Sequence, residues 1–258
     1  MSLRRARDLW EYTIAAVDAD IGRVRDLYFD DETWTIRYIV VESGMILSRR
    51  EVLISPAALQ ARAWSPLHIR VKLTCGEVES SPSIDLHKPI SCRHEIEHHK
   101  HYGWPFYWLG KGVWGSQSHP AALAKTSKVT SAPASTVSIE NPSRDAHLRS
   151  VREVMGYHVS AEDGEIGHIE DFLFDDHTWE IRYAIIDTKK WWAEQRVLLS
   201  PRWIKRVSWK SRAIYVGLSR ELVKKSPRWD PDQPLNRRYE LQLHKHYDFS
   251  PYWTELKQ

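Results

Sequence analysis

The sequence predicts a mainly β protein with two small β-barrels in tandem, each followed by a helical arm. The chain repeats itself: positions 3–108 shifted by 145 residues give 38 identities over 106 positions without a gap. A match of this length indicates an internal duplication with one domain per copy. Each copy also holds about six short runs rich in β-branched and aromatic residues, separated by turn residues, which is typical of a small barrel.

The repeat sets the predicted domain boundaries. The first barrel with its arm covers residues 1–108, a linker covers 109–147, the second barrel with its arm covers 148–253, and residues 254–258 form a tail. The linker is rich in Ser, Ala and Pro, a composition that does not provide a hydrophobic core. We expect it to be flexible beyond a few residues next to Trp108.

The most similar stretch of the two copies, residues 21–38 and 166–183, predicts a β-hairpin with Asp31 and Glu32 as its loop. In that register Phe29 faces Trp34 and Asp26 faces Arg37, so the acidic and basic side chains form a cross-strand ion pair. The copy places Asp171 opposite Arg182 and Phe174 opposite Trp179. One face of the hairpin then collects the apolar residues: Leu27, Phe29, Trp34, Ile36 and Tyr38, with Phe172, Phe174, Trp179, Ile181 and Tyr183 in the copy.

The predicted core follows from this pattern. It comprises Leu27, Phe29, Trp34, Ile36, Leu53 and Val71, together with the residues 145 positions later. Ser55-Pro56 and Ser200-Pro201 are typical of an N-cap followed by proline at the first helical position.

Composition limits the classes of function. The formal net charge of +3 gives no argument for nucleic-acid binding, which usually needs a concentrated basic face. No apolar run approaches the 18 or so residues of a membrane span. The basic residues near Met1 are not followed by an apolar core, so we expect no secretory signal and a cytoplasmic protein.

The retained motifs resemble a known family. Gly-x-Val/Ile-x-Asp-x-x-Phe-Asp-Asp-x-Thr-Trp-x-Ile-Arg-Tyr, then Val-Leu-x-Ser-Pro and later His-x-His-Tyr, are similar to the PRC-barrel family, and in particular to bacterial proteins that carry two such domains. The resemblance implies two PRC-type β-barrels. In that family the barrel occurs in the cytoplasmic part of the photosynthetic reaction-centre H subunit and in a ribosome maturation factor, where it mainly provides a protein-binding surface.

The histidine-rich arm is the strongest candidate for chemistry. His94, His98 and His101 have i, i+4, i+7 spacing and would share one helical face, where imidazoles could bind zinc or copper. The copy has Tyr239 and Leu243 in place of the first two, which favours packing or hydrogen bonding. Whether this face binds metal stays open.

The other polar motifs predict no reaction. Asp30, Asp31 and Glu32 could suggest a calcium or acid-base site, but a turn explains them better. The sequence has no nucleophile elbow, phosphate loop or dinucleotide glycine pattern. We therefore expect no catalytic residues, no cofactor, no resident metal and no enzymatic activity.

A variable loop supplies the candidate interaction residues. Trp191 and Trp192 occupy positions that are Ile46 and Leu47 in the first copy. Apolar residues in a loop mark a binding patch or close the end of the barrel, and both interpretations stay open.

The leading functional prediction is a non-enzymatic adaptor or scaffold that binds other proteins through its barrel surfaces. The alternatives are a metal- or ligand-responsive regulator using the histidine-rich arm and a factor associated with RNA processing. Because a duplicated chain descends plausibly from a homodimer, we expect the two repeats to pair about a pseudo-two-fold axis near the aromatic ends of the arms. A homo-oligomer is also left open.

Overall fold

The computed structural model describes residues 2–44, 50–84, 90–125, 147–188, 196–233 and 235–254. It divides into two compact units. The first contains residues 1–152 and 175–180, and the second contains residues 153–174 and 181–258. The first unit therefore includes the first repeat, the segment that follows it, the start of the second repeat and the turn of the second repeat's hairpin.

Strands dominate the described residues. In chain order they are β1 Leu3–Arg5, β2 Thr13–Ala15, β3 Asp20–Asp30, β4 Thr35–Ser43, β5 Arg50–Ile54, β6 Leu59–Ser65, β7 His68–Val71, β8 Leu148–Ser150, β9 His158–Ala161, β10 Gly164–Asp175, β11 Ile181–Asp187, β12 Arg196–Leu199, β13 Ile204–Ser208 and β14 Ala213–Val216. The α-helices are α1 Cys75–Glu79, α2 Cys92–Tyr102, α3 Pro120–Leu123, α4 Val151–Val154, α5 Arg220–Lys224 and α6 Arg237–Tyr247. Short 3-10 turns lie at Arg7–Glu11, Pro56–Ala58 and Pro201–Trp203.

The sheet of the first unit has the order β5-β4-β3-β2-β7-β6. The long strand β3 uses its first half to pair with β2 and its last three residues to pair with β8. Neighbouring strands are antiparallel except β2 and β7, which are parallel. The strand β8 opens the second repeat, so the first sheet is extended by residues from the second copy of the sequence.

The second unit repeats this topology, with the order β12-β11-β10-β9-β14-β13 and a parallel pair between β14 and β9. The prediction of a mainly β protein with tandem barrels is thus confirmed. The Ser-Pro prediction is also confirmed, because the hydroxyls of Ser55 and Ser200 accept from the amides of Ala57 and Arg202 at 3.3 and 3.4 Å.

Glycine is needed where the hairpin strands approach most closely. A Cβ atom on Gly22 would lie 1.9 Å from the carbonyl oxygen of Glu42, and one on Gly167 would lie 2.3 Å from that of Asp187. A methyl group does not fit at either distance. This close approach explains why both copies keep Ile-Gly at the start of the motif.

The predicted hairpin register is wrong. Phe29 pairs with Ile36 rather than Trp34, and Asp26 pairs with Val40 rather than Arg37. In the second copy Asp171 lies opposite Ile185 rather than Arg182. The error starts at the turn, which has four residues instead of two.

The aspartate before the turn fixes its length. The Asp30 carboxylate accepts from the amides of Glu32 and Thr33, both at 3.0 Å, and its carbonyl accepts from Trp34 at 2.8 Å. Such Asx-type bonds replace the hydrogen bonds that a two-residue hairpin would make. Trp34 and its counterpart Trp179 then adopt left-handed conformations, with φ of 53° and 63°.

A β-bulge shifts the register again. Between the pairs Phe29–Ile36 and Tyr28–Tyr38, one extra residue, Arg37, is inserted in β4. Arg182 is the extra residue at the same place in the second copy. A bulge re-aims its side chain, and Arg37 consequently pairs with Asp30, with Nη2 3.3 Å from Oδ2. Asp26 instead accepts from the Ser150 hydroxyl and the Arg152 amide.

Burial follows the predicted core with one exception. Leu27, Phe29, Ile36, Leu53 and Val71 are at most 1 % exposed, and their counterparts are buried as well. Trp179 is also buried, but Trp34 is only half-buried. The two tryptophans have the same backbone shape, so neighbouring residues decide the difference. In the first unit Trp179 stacks on Trp64 with ring centroids 6.0 Å apart.

The first part of the predicted linker is packed, which differs from the expectation for these residues. Trp114 is fully buried and its indole donates to the Thr178 carbonyl at 2.8 Å. The carbonyl of Val113 accepts from Arg37 at 2.6 Å, and α3 packs on the turn Pro56–Ala58. One tryptophan thus gives a polar segment enough apolar surface to dock. Residues 126–146 of the linker lie outside the described residues.

The two tryptophans of the turns give a matched test. We expect Trp179→Ala to lower the free energy of unfolding by about 3–5 kcal/mol, the usual cost of removing a buried aromatic ring. Trp34→Ala should cost less because its ring is already partly hydrated. Urea unfolding followed by far-UV circular dichroism measures both. Equal costs, or a larger cost at Trp34, would contradict the burial described for these rings.

Candidate functional site

The helical arms direct polar side chains toward the barrels. Helix α2 is capped by the Ser91 hydroxyl, which accepts from the His94 amide at 3.2 Å, and α6 is capped by Asn236 in the same way. Both helices end at a residue with positive φ, Gly103 at 66° and Asp248 at 58°. Residues four apart share a helical face, so each arm presents one glutamate and one histidine together.

In the first unit these side chains form a buried polar cluster. We call it the first cluster: Tyr38, Glu95, His99, Tyr107 and His147. The hydroxyls of Tyr38 and Tyr107 lie 3.0 and 2.6 Å from Glu95 Oε1. His147 Nε2 lies 3.2 Å from Glu95 Oε2. Glu95 has no exposed surface, so the cluster joins strand β4 to the arm through a carboxyl group shielded from water.

The second unit contains an equivalent, the second cluster: Tyr183, Arg237, Glu240, His244 and Tyr252. The hydroxyls of Tyr183 and Tyr252 lie 3.1 and 3.0 Å from Glu240 Oε1. Arg237 Nη1 lies 2.9 Å from Glu240 Oε2. The tyrosines, the glutamate and the histidine are counterparts at the offset of 145. The cationic partner is not, because Arg237 corresponds to Cys92.

The electrostatics of the first cluster favour a neutral carboxyl group. Burial raises the pKa of Glu95, and the nearby His147 opposes that rise. Burial also lowers the pKa of His99 to about 4, so its ring is neutral near pH 7. The pKa values of Tyr38 and Tyr107 lie well above the ordinary value because burial and Glu95 disfavour their anions.

A count of hydrogens agrees with that protonation state. His99 Nδ1 lies 2.9 Å from the Pro105 carbonyl, which only accepts, so the neutral ring carries its hydrogen there. His99 Nε2 is then an acceptor, 3.1 Å from the Tyr38 hydroxyl. Tyr38 has one hydrogen and cannot serve both His99 and a carboxylate. A proton on Glu95 completes the chain: Glu95 donates to Tyr38, and Tyr38 donates to His99.

Two of the three histidines on the predicted face, His98 and His101, contact backbone carbonyls. His98 Nε2 lies 2.8 Å from the Leu53 carbonyl, and His101 Nε2 lies 2.8 Å from the Glu77 carbonyl. The second contact recurs between His246 and Leu222 at 2.8 Å. Burial lowers the pKa of His98 to about 3. Within the described residues no three His, Cys, Asp or Glu side chains are grouped as metal ligands.

The arm aromatics make ring contacts within their own repeats, and their place near a surface between the repeats stays a prediction. Trp104, Phe106 and Trp108 surround His99 with ring centroids 5.2–6.2 Å away. In the second unit Trp203 stacks on Phe249 at 5.3 Å. The reason is local: each arm folds back so that its rings cover the buried histidine.

The remaining predicted site residues lie in different environments. Arg182 lies over the Tyr252 ring at 4.2 Å, as Arg37 lies over Tyr107 at 4.0 Å. Asp171 is buried and accepts from the Phe172 amide at 2.8 Å. Four candidate interaction residues lie outside the described residues: Ile46, Leu47, Trp191 and Trp192.

Comparison with known families agrees with this architecture. A family model described as PRC-barrel domain matches residues 1–64 and 148–223, just over half of the chain. The chain belongs to the PRC-barrel family. No curated protein sequence matches it. Among the described helices, none is long and apolar enough to cross a membrane.

The clusters join the PRC-barrel to a part of the chain that the family model does not cover. Tyr38 and Tyr183 lie in the matched segments, whereas Glu95, Glu240 and the second tyrosine of each cluster lie in the arms. Neither glutamate is among the residues predicted from the sequence. A signal was present, because Glu95 and His99 are polar residues four apart that both copies retain.

Removing one hydroxyl from each cluster tests their contribution to stability. We expect Tyr38→Phe and Tyr183→Phe to lower the free energy of unfolding by about 1–3 kcal/mol each, since a buried polar group loses a partner. Urea unfolding measures this. Tyr12→Phe is the control because the Tyr12 hydroxyl makes no hydrogen bond among the described residues, and it should change stability by less than about 0.5 kcal/mol. Cluster variants as mild as the control would contradict the prediction.

Proposed function

We propose that this protein is a non-enzymatic adaptor that binds other proteins through the surfaces of its two PRC-barrels. The proposal is supported by comparing the residues that the two copies share with the residues in which they differ. The polar residues that both copies keep in the clusters are buried and bonded internally. Many exposed residues at equivalent positions differ, and in one place, Glu79 and Lys224, they differ in the sign of their charge.

That place is the short helix after the last barrel strand, α1 in the first unit and α5 in the second. Both helices are held identically: Asp18 accepts from the Cys75 amide at 2.9 Å, and Asp163 accepts from the Arg220 amide at 2.7 Å. The equivalent exposed residues Glu79 on α1 and Lys224 on α5 nevertheless have opposite charges. Helix α1 also exposes Glu77, and the second unit also exposes Lys225, which pairs with the exposed Glu221 at 2.7 Å.

The neighbouring strand also differs in exposed charge between the two units. Exposed Lys205 and Arg206 on β13 correspond to Gln60 and Ala61 on β6. Beside α5 lies an open groove of about 580 Å³, lined by Asp163, Arg220, Glu221, Lys224 and Lys225. Complementary charge gives an interface its specificity. The second unit therefore suits an acidic partner and the first unit suits a basic one.

Contacts inside the first unit support the further expectation that the repeats pair. The turn residue Asp31 holds Arg149 at 2.8 Å, and its counterpart Asp176 holds Arg4 at 3.0 Å. Arg4 and Arg149 are also counterparts. The pseudo-two-fold pairing stays a prediction, as does the role of the variable loop.

Charge reversal tests the adaptor proposal. The full-length protein is immobilised and used to capture binding proteins from a cell extract, in parallel with Lys224→Glu/Lys225→Glu and Glu77→Lys/Glu79→Lys. We expect each variant to lose its own set of partners by roughly tenfold or more, because like charges now face each other. The wild-type capture should weaken as salt is raised.

The two variants serve as controls for each other. Both change two exposed charges on equivalent helices, so a general loss of folding would affect both sets of partners. Capture of the same proteins in the same amounts by wild type and both variants would refute the proposal that these surfaces bind partners.

A further inference from the structure

The cationic residue is the feature in which the two clusters differ most. In the second cluster Arg237 lies 2.9 Å from Glu240, and a guanidinium group keeps its charge at any pH at which proteins fold. In the first cluster His147 takes this place, 3.2 Å from Glu95 and 3.1 Å from the Tyr107 hydroxyl. An imidazole, unlike a guanidinium group, does not carry a permanent charge.

His147 also begins the segment that extends the first sheet. Its carbonyl accepts from the Asp31 amide at 2.9 Å. The next three residues form β8, in which Leu148 pairs with Asp30 and Ser150 pairs with Tyr28. The contact between His147 and Glu95 therefore lies at the point where this strand enters the first unit.

The surroundings of His147 contain both signs of charge. The pKa of Asp30 is lowered despite its burial, mainly by Arg37 and to a smaller extent by His147. The pKa of Asp31 is raised by burial, and His147 opposes that rise. Arg37 stabilises the Glu95 carboxylate from β4. The titratable and charged groups around the contact are Asp30 and Asp31 from β3 and its turn, Arg37 from β4, Glu95 and His99 from α2, Tyr107 from the end of the arm and Arg149 from β8.

We propose that the contact between His147 and Glu95 is a pH-sensitive latch, which holds residues 147–150 on strand β3 while it carries a proton and releases them as the pH rises. This inference goes beyond the adaptor function, because it concerns how the first unit closes its own sheet. The second cluster has no such switch, since Arg237 supplies a permanent charge.

The contact between Glu95 and His147 is expected to weaken as pH rises. The pKa of Glu95 is raised in the folded protein, so its contribution to stability is fully present below the unfolded pKa and is lost as pH rises through the folded one. The carboxylate that forms as pH rises is buried, and the group beside it is an imidazole rather than a permanently charged guanidinium group. Its formation also removes the proton that the chain from Glu95 to His99 requires.

Amide hydrogen exchange of the full-length protein tests the latch. Protection factors are measured by mass spectrometry for peptides covering 147–152, at a series of pH values from about 5.5 to 8, after correction for intrinsic exchange. Strand β11 in the second unit is the internal reference. We expect the protection of β8 to fall by about tenfold or more over this range, because the buried carboxyl group loses its proton, while β11 stays constant.

Three variants make the outcome specific. His147→Arg copies the second cluster, and Glu95→Gln removes the ionisable carboxyl; both should reduce the pH dependence of β8 to less than about twofold. His158→Arg changes an exposed histidine of the second unit and should behave as wild type. Since His147→Arg could disturb the fold, strand β4 is followed in every sample.

Two results would overturn the latch. One is a wild-type protection of β8 that does not change with pH, or a change that persists in both the Arg and Gln variants. The other is an equal loss of protection in β4 and β8, which would indicate that the whole first unit opens rather than this strand.

Discussion

The interaction on which the structure most depends is a buried carboxyl group held between two tyrosine hydroxyls. Glu95 and Glu240 each form hydrogen bonds with two tyrosine hydroxyls, one from a barrel strand and one from the end of the arm. A buried polar group without a hydrogen-bonding partner destabilises the fold. The glutamate of the arm and the tyrosine of the barrel strand are partners only when the arm packs on the barrel. The cluster thereby ties a short helix to a small barrel.

The arginine of the hairpin provides a second constraint. Because it is the extra residue of a β-bulge, Arg37 does not point across the strand pair. Instead it meets Asp30, the Tyr107 ring and the Val113 carbonyl. One inserted residue thus connects the turn, the arm and the segment after the arm. The charges that both copies retain in the hairpin are determined by that bulge rather than by cross-strand pairing.

The sequence predicted the fold better than it predicted the contacts. The repeat and the alternation of apolar residues identified the barrels, and the core from Leu27 to Val71 was correct apart from Trp34. Register failed because Asp30 bonds to the amides of its own turn and because Arg37 forms a bulge. Neither feature changes the apolar pattern that register prediction uses.

The buried clusters were missed for a related reason. Glu95 is charged in isolation and lies on a polar helix, so nothing local indicates that it has no exposed surface. Its burial depends on Tyr38, which lies 57 residues away. In the sequence, the burial of this glutamate is indicated only by the repeat, because both copies retain a glutamate and a histidine four residues apart on the arm. The packed segment around Trp114 likewise depends on a contact with Thr178, far along the chain.

The composition of the first unit has a consequence for synthesis. It is discontinuous in sequence, because residues 147–152 and 175–180 belong to it together with the first repeat. Domains usually fold in the order in which they leave the ribosome. Here the amino-terminal unit cannot be completed until Glu180 has emerged. Until then the part of β3 that pairs with β8 has no partner strand in the nascent chain. Chaperones or another nascent chain can bind this edge before residues 148–150 are synthesised.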